Sequence, residues 1–233
     1  VVEDHSAPVV AVQVWYRVGS RNEDESCSGI AHMLEHMMFR GSANVKGKYS
    51  EIIDQMGGSD NAFTAEDMTV YHCVIPSSLQ NLDQVLFMEA DRMQNLTFEG
   101  FPTERNVVRE ERRWRNENSA WGTAWEVLRA TAFLVHPYHH PVIGWSEAIE
   151  NYTLERLKEF YRTYYVPNNA FVVISGDVKP EDAFRLVEKH FGKIPRGPEP
   201  PKVFLKEPEQ RGERVVVVKK EGFMTLLFAA YKI

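Results

Sequence analysis

Residues Val9 to Val18 follow a period of two and are rich in β-branched side chains, which predicts a strand. From Gly19 to Gly29 the chain is polar and turn-prone, a loop that delivers it to a helix start. The run GIAHMLEHMMF that follows holds good helix formers and no proline before Gly41 breaks it, so it predicts a helix. SEIIDQM predicts a second, short helix, capped by Ser50 and closed by Gly57 and Gly58. NAFTAEDMTVYHCVIP predicts two strands joined at Ala65 to Asp67, the second ended by Pro76.

Leu79, Leu82, Leu86, Met93 and Leu96 then recur at helical spacing behind a serine cap, an amphipathic helix. Pro102 and Thr103 open a helix predicted over 103–118, and WGTAWEVLRATAFL predicts another. After the loop HPYHHPVIG, Thr153 caps a helix, AFVVIS predicts a buried strand, and Pro180 starts a last helix that Gly192 closes. The pattern predicts an α+β fold, a mixed β-sheet packed against several α-helices in a two-layer sandwich. Residues 196–212 have many Pro, Gly and charged positions and no apolar period, which predicts a linker after a first domain at 1–195. RVVVVKK and MTLLFAAYKI, within 213–233, predict the first strands of a second, truncated domain. The opening residues read as a strand entered midway, so the expectation is a chain trimmed at both ends.

Composition narrows the partners. With 43% hydrophobic and 26% charged residues in 233, the chain is long enough for a substantial core. A formal net charge of −6 supplies no basic face for nucleic acid or an anionic membrane. No run approaches the ~18 apolar residues of a membrane span, so the expectation is a soluble protein, cytoplasmic or periplasmic if bacterial. Cys27 and Cys73 read as buried small hydrophobes rather than a bridge. Trp114, Trp121, Trp125 and Trp145 read as packing residues.

The chemistry concentrates at His32 and His36. Four apart on a helix, their imidazoles lie one turn apart on one face and can converge on a single ion. Glu35 is placed to reach a water on that ion without being a ligand, as a general base. Catalytic zinc takes a third protein ligand, and the candidates are glutamates of the 103–118 helix. Glu104 and Glu111 are seven apart and share a face, whereas Glu110 points about 100° away from Glu111. His5, His72, His136, His139, His140 and His190 lack a partner at ligand spacing and read as surface or structural residues.

H-x-x-E-H inverts the thermolysin order, and with it the chain resembles the M16 family of inverzincins, the pitrilysin, insulinase and mitochondrial processing peptidase group. SGIAHMLEHMMFRGS resembles that family's metal helix, GGSDNAFTAEDMTVYHCVIP its following hairpin, and ERNVVREERR its third-ligand helix. YYVPNNAFVVISGDV resembles a later segment, so the likeness spans nearly the whole chain. It implies that a Glu roughly 70 to 80 residues beyond the second His completes the site, a window holding both Glu110 and Glu111. The family motif also carries a Glu seven residues before the ligand; Glu104 takes that place only if Glu111 is the ligand.

The resemblance therefore implies one zinc ion on His32, His36 and Glu111, with Glu35 and Glu104 as catalytic residues, Glu104 supporting a ligand or the water by hydrogen bonds. Asn61, Ala62 and Phe63 match the family's edge strand, where a substrate peptide adds by main-chain hydrogen bonds. The implied activity is a zinc-dependent endopeptidase acting on peptides or unfolded polypeptide segments. Domain 1–195 would be its catalytic domain, needing a second M16-type domain or a partner subunit, in a homodimer or heterodimer, for full activity. One competing reading is a non-catalytic scaffold or binding subunit of the same family. Another is a metal-dependent lyase of the S-ribosylhomocysteine type, which completes its site with a Cys, for which Cys73 is the only downstream donor.

Overall fold

The computed structural model describes residues 1–222 and 224–232. Among these, five strands form one mixed sheet: β1 (Val2–Glu3), β2 (Val9–Tyr16), β3 (Ser59–Thr64), β4 (Thr69–Pro76) and β5 (Ala170–Gly176), in the order β1-β5-β2-β4-β3. β1 runs parallel to β5, while β2 pairs antiparallel with both β4 and β5, and β3 antiparallel with β4. The helices are α1 (Ile30–Met37), α2 (Tyr49–Gln55), α3 (Leu79–Gln94), α4 (Phe101–Arg112), α5 (Ala120–Ala132), α6 (Ser146–Asn151), α7 (Leu154–Tyr164) and α8 (Pro180–Phe191). The α+β class read from the sequence holds.

The period of two along β2 explains how sheet and helices meet. Val10, Val12, Val14 and Tyr16 are buried on one face, while Ala11, Gln13 and Trp15 alternate with them on a partly exposed face. Two apolar clusters cover the buried face. One joins Val14, Tyr16 and Tyr71 of the sheet to Ile30, Met33, Leu34 and Met37 of α1, Val108 of α4 and Leu157 of α7. The other joins Val10, Val12 and Ile75 to Ile53 of α2, Leu82 and Leu86 of α3 and Leu186 of α8. Helix α1 is apolar on most sides, as a helix between a sheet and other helices must be.

The entry to α1 is tightly built. Gly29 is left-handed at φ 90°, and a Cβ there would lie 2.4 Å from the Ile143 carbonyl oxygen. The buried Glu23 carboxylate accepts the amides of Gly29 and Ala31, each at 2.8 Å, and so satisfies two of the donors a helix start leaves free. Burial pushes the Glu23 carboxyl well above the usual range, against those two bonds.

Several local expectations are corrected. Ser50 does not cap α2, which begins at Tyr49 behind Lys48; its hydroxyl is drawn instead to Asp60 of β3, at 2.8 Å. The helix predicted over 103–118 changes winding: α4 ends at Arg112 and Arg113–Glu117 form a π-helical turn. Strand β1 and helix α6 carry too short a pattern to be predicted. Residues 193–233 form no helix or strand among those described, so the strands expected within 213–233 are not formed there. A strand is stabilised by a neighbour that completes its ladder, and no described strand lies beside them. Residues 223 and 233 of that stretch lie outside the described residues.

Candidate metal centre

His32 and His36 project from one face of α1, their ring centroids 4.7 Å apart. α4 packs across that face and brings two of its carboxylates to the imidazoles, the pair that its seven-residue spacing aligns. Glu111 Oε2 lies 3.2 Å from His36 Nε2 and 3.7 Å from His32 Nε2. One ligand atom from each of the three residues falls within 4.8 Å of the others. Glu110 turns outward, 68% exposed, to pair with Arg113, so of the two adjacent glutamates only Glu111 enters this group.

The donor set fits zinc. Two imidazole nitrogens and a carboxylate oxygen are a common catalytic triad of ligands, and bonds of about 2.0–2.1 Å at tetrahedral angles separate ligand atoms by about 3.3 Å. The observed 3.2 and 3.7 Å bracket that edge length. Glu104 Oε1 lies 2.9 Å from His36 Nδ1, and the hydrogen bond to His36 holds its carboxyl below the usual range. As an acceptor it keeps a proton on Nδ1, so that Nε2, on the Glu111 side, is the nitrogen that would give up its proton to bind a metal. Arg40 Nη1 donates to the other Glu104 oxygen at 3.2 Å. Burial, reinforced by the charge of His36, pushes His32 down to about 4 and keeps it a neutral donor. Burial acts the same way on His36, but the Glu104 and Glu111 carboxylates outweigh it and push it up to about 9. That corner of the cleft therefore stabilises a positive charge.

Glu35, one residue before His36, lines the same cleft of about 790 Å³. Its Oε2 accepts the Thr64 hydroxyl at 2.5 Å. Burial pushes its carboxyl up, opposed by that hydrogen bond.

β3 forms the wall beside Glu35 and, among the described residues, is a free edge of the sheet. The Ala62 amide is turned away from β4 and accepted by the Asn61 side-chain oxygen at 2.9 Å. Ala62 packs on the helix side, whereas Phe63 meets Trp15 edge-on at 6.2 Å on the opposite face. Asn61, Ala62 and Phe63 thus lie beside the cleft through their backbone rather than through three convergent side chains.

Four further cleft residues were not singled out from the sequence. Thr64 reaches Glu35 only through the packing of β3 on α1, a contact between distant segments. Arg40 is four residues after His36, and Arg115, which binds Glu111 Oε1 at 2.8 Å, is four after Glu111; helical spacing was the signal for both. Glu126 of α5 accepts both Arg112 and Asn116, and only the fold brings it there.

The remaining candidates lie elsewhere. His5, His139 and His190 pair with carboxylates outside the cleft, and His140 is buried 3.7 Å from Glu23. Cys27 and Cys73 are buried free thiols; burial pushes Cys73 up to about 12 among core residues, away from the imidazoles. The packing expected of the tryptophans is shallow for three of the four, although Trp121 and Trp125 meet the Phe228 ring edge-on, with centroids 4.8 and 6.4 Å away. Trp114, Trp121 and Trp125 are 72%, 62% and 49% exposed, because α5 and the preceding π-turn bury none of their residues. Among the described residues no helix is long and apolar enough to cross a membrane.

The model of the insulinase family, peptidase family M16, matches residues 1–144, and that of the peptidase M16 inactive domain matches residues 151–232. The zinc protease PqqE of Helicobacter pylori is 43% identical over 224 residues, which cover 94% of this chain and 50% of that protein. A probable mitochondrial-processing peptidase subunit beta of Arabidopsis thaliana is 32% identical over 196 residues, 83% of this chain and 36% of its own length. Among solved structures, a protease from Helicobacter pylori superposes with a TM-score of 0.89 at 41% identity, over 93% of this chain and 53% of that one. The periplasmic protease PqqL from Escherichia coli does so with 0.80 at 28% identity, over 89% and 24%. The chain spans about half the length of the first of these relatives.

Proposed function

This chain belongs to peptidase family M16, and on that premise we propose that it is the catalytic half of a zinc-dependent endopeptidase acting on peptides or unfolded polypeptide segments. The convergence of His32, His36 and Glu111 beside the Glu35 carboxylate carries this reading. His32 and His36 would hold a single zinc ion through their imidazoles, with Glu111 as the third ligand through its carboxylate. When bound, zinc supplies a Lewis acid that lowers the pKa of water and polarises a carbonyl.

Each neighbouring residue then has a task. Glu35, raised by burial and anchored at Oε2 by Thr64, takes the proton of the attacking water on its other oxygen and returns it to the leaving amine. Glu104 holds His36 in the ligating tautomer, and Arg40 holds Glu104. The substrate backbone adds to the free edge of β3 along Asn61, Ala62 and Phe63, where the outward Ala62 amide is available once Asn61 yields it.

A second M16-type domain, fused or supplied as a subunit, completes the enzyme. On this reading residues 1–195 are its catalytic domain, 196–212 the linker and 213–233 the opening of the second domain, whose strands form only once the rest of that domain supplies a ladder. The half-length match to PqqE supports the existence of a second half. Glu35→Gln in the complete enzyme is the test: it should retain zinc and lose cleavage of a quenched peptide by about 10²-fold or more. Undiminished turnover would instead favour a site elsewhere.

A further inference from the structure

We propose that Thr64 is a positioning residue, tying the Glu35 carboxylate to the same edge strand that receives the peptide backbone. Its role rests on the reading of Glu35 as the proton acceptor. Thr64 is the last residue of β3 and pairs with Thr69 across the ladder. Its hydroxyl donates to Glu35 Oε2 at 2.5 Å, and both residues line the cleft. Along β3 the side chains of Asp60, Ala62 and Thr64 are half-buried, while Ser59, Asn61 and Phe63 are exposed. Thr64 is thus on the helix side of the strand, two residues beyond Ala62, or about 6.8 Å along it.

Because successive residues of an edge strand present their amides alternately to the partner and to the open side, Ala62 and Thr64 share the open side. An added peptide strand takes its register from these positions. Glu35 belongs to α1, a separate element, and without a link its carboxylate would take its orientation from α1 alone. The Thr64 hydroxyl supplies the link, so that base and peptide are located by one rigid piece of backbone. A hydroxyl on a β-branched side chain suits this task, since the branch stiffens χ1 in a strand. A misplacement of about 1 Å between reacting groups costs on the order of 10²-fold in rate, so the link acts on turnover rather than on binding.

Thr64→Val and Thr64→Ser in the complete, zinc-loaded enzyme test the idea. Valine keeps the shape and removes the donor; serine keeps the donor and removes the methyl group. The expected result for Thr64→Val is full zinc content, an unchanged KM and a kcat lower by about 10- to 100-fold, with Thr64→Ser within about 3-fold of wild type. Crystal structures of the two variants supply a readout independent of turnover. The Glu35 carboxylate should leave its wild-type position in Thr64→Val and keep it in Thr64→Ser. A Thr64→Val enzyme with wild-type kcat, equal losses in both variants, or an unmoved Glu35 in Thr64→Val would overturn the proposal. If the zinc-loaded wild type cleaves no peptide, the endopeptidase reading fails instead, and the crystal structures still decide whether Thr64 holds Glu35.

Discussion

His36 is gripped from both sides: Glu104 accepts a hydrogen bond from its Nδ1, and Glu111 lies 3.2 Å from its Nε2. Such an imidazole has one orientation and one tautomer, and removing either carboxylate affects the metal differently. Glu111→Gln removes a ligand and should weaken zinc binding by several orders of magnitude, whereas Glu110→Gln should leave it unchanged; titration against a competing chelator distinguishes them. Glu104→Gln, which keeps the shape but loses the charge-assisted bond, should cost about 10- to 100-fold in zinc affinity on the same assay. At this scale the sequence was legible wherever the cleft residues sit at fixed helical spacing. His32, Glu35 and His36 could be picked out because α1 itself sets their geometry. The choice of Glu111 over Glu110 needed the position of Glu104 as well, since two adjacent helix residues satisfy the same distance along the chain. Thr64 and Glu126 were hidden because their contacts join segments far apart in sequence.

Among the elements, α1 depends most on its surroundings. Its start is fastened by Glu23 and by the close approach of Gly29 to Ile143, both outside the helix. Glu23→Ala strips the buried amides of Gly29 and Ala31 of their acceptors and should destabilise the fold by about 2–4 kcal/mol in chemical denaturation. Gly29→Ala is strained twice over, by its left-handed backbone and by the carbonyl a methyl group would meet, and should also reduce zinc content. The strands and longer helices followed their periods because each has a buried face long enough to display one. The junction of α4 with the π-turn was not legible: Arg113–Glu117 have helix-forming composition, and nothing in it specifies an extra residue in the turn. The strands expected after residue 212 illustrate the reverse case, an apolar pattern without a ladder to join.

For the molecule as a whole, α5 borders the cleft with Trp125, Glu126 and Arg129, and Trp125 is exposed. If a second half orients the substrate, as proposed, purified residues 1–233 should bind zinc yet cleave a quenched peptide at least about 100-fold more slowly than the complete enzyme. Comparable turnover by the two would show that this half suffices. The free edge of β3 has a further consequence for selectivity. A ligand grasped by its main chain is recognised almost without regard to the identity of its side chains, so discrimination falls on whether the amide facing Ala62 can donate at all. A proline or an N-methylated residue at that one register should be refused, while most other replacements there pass unnoticed.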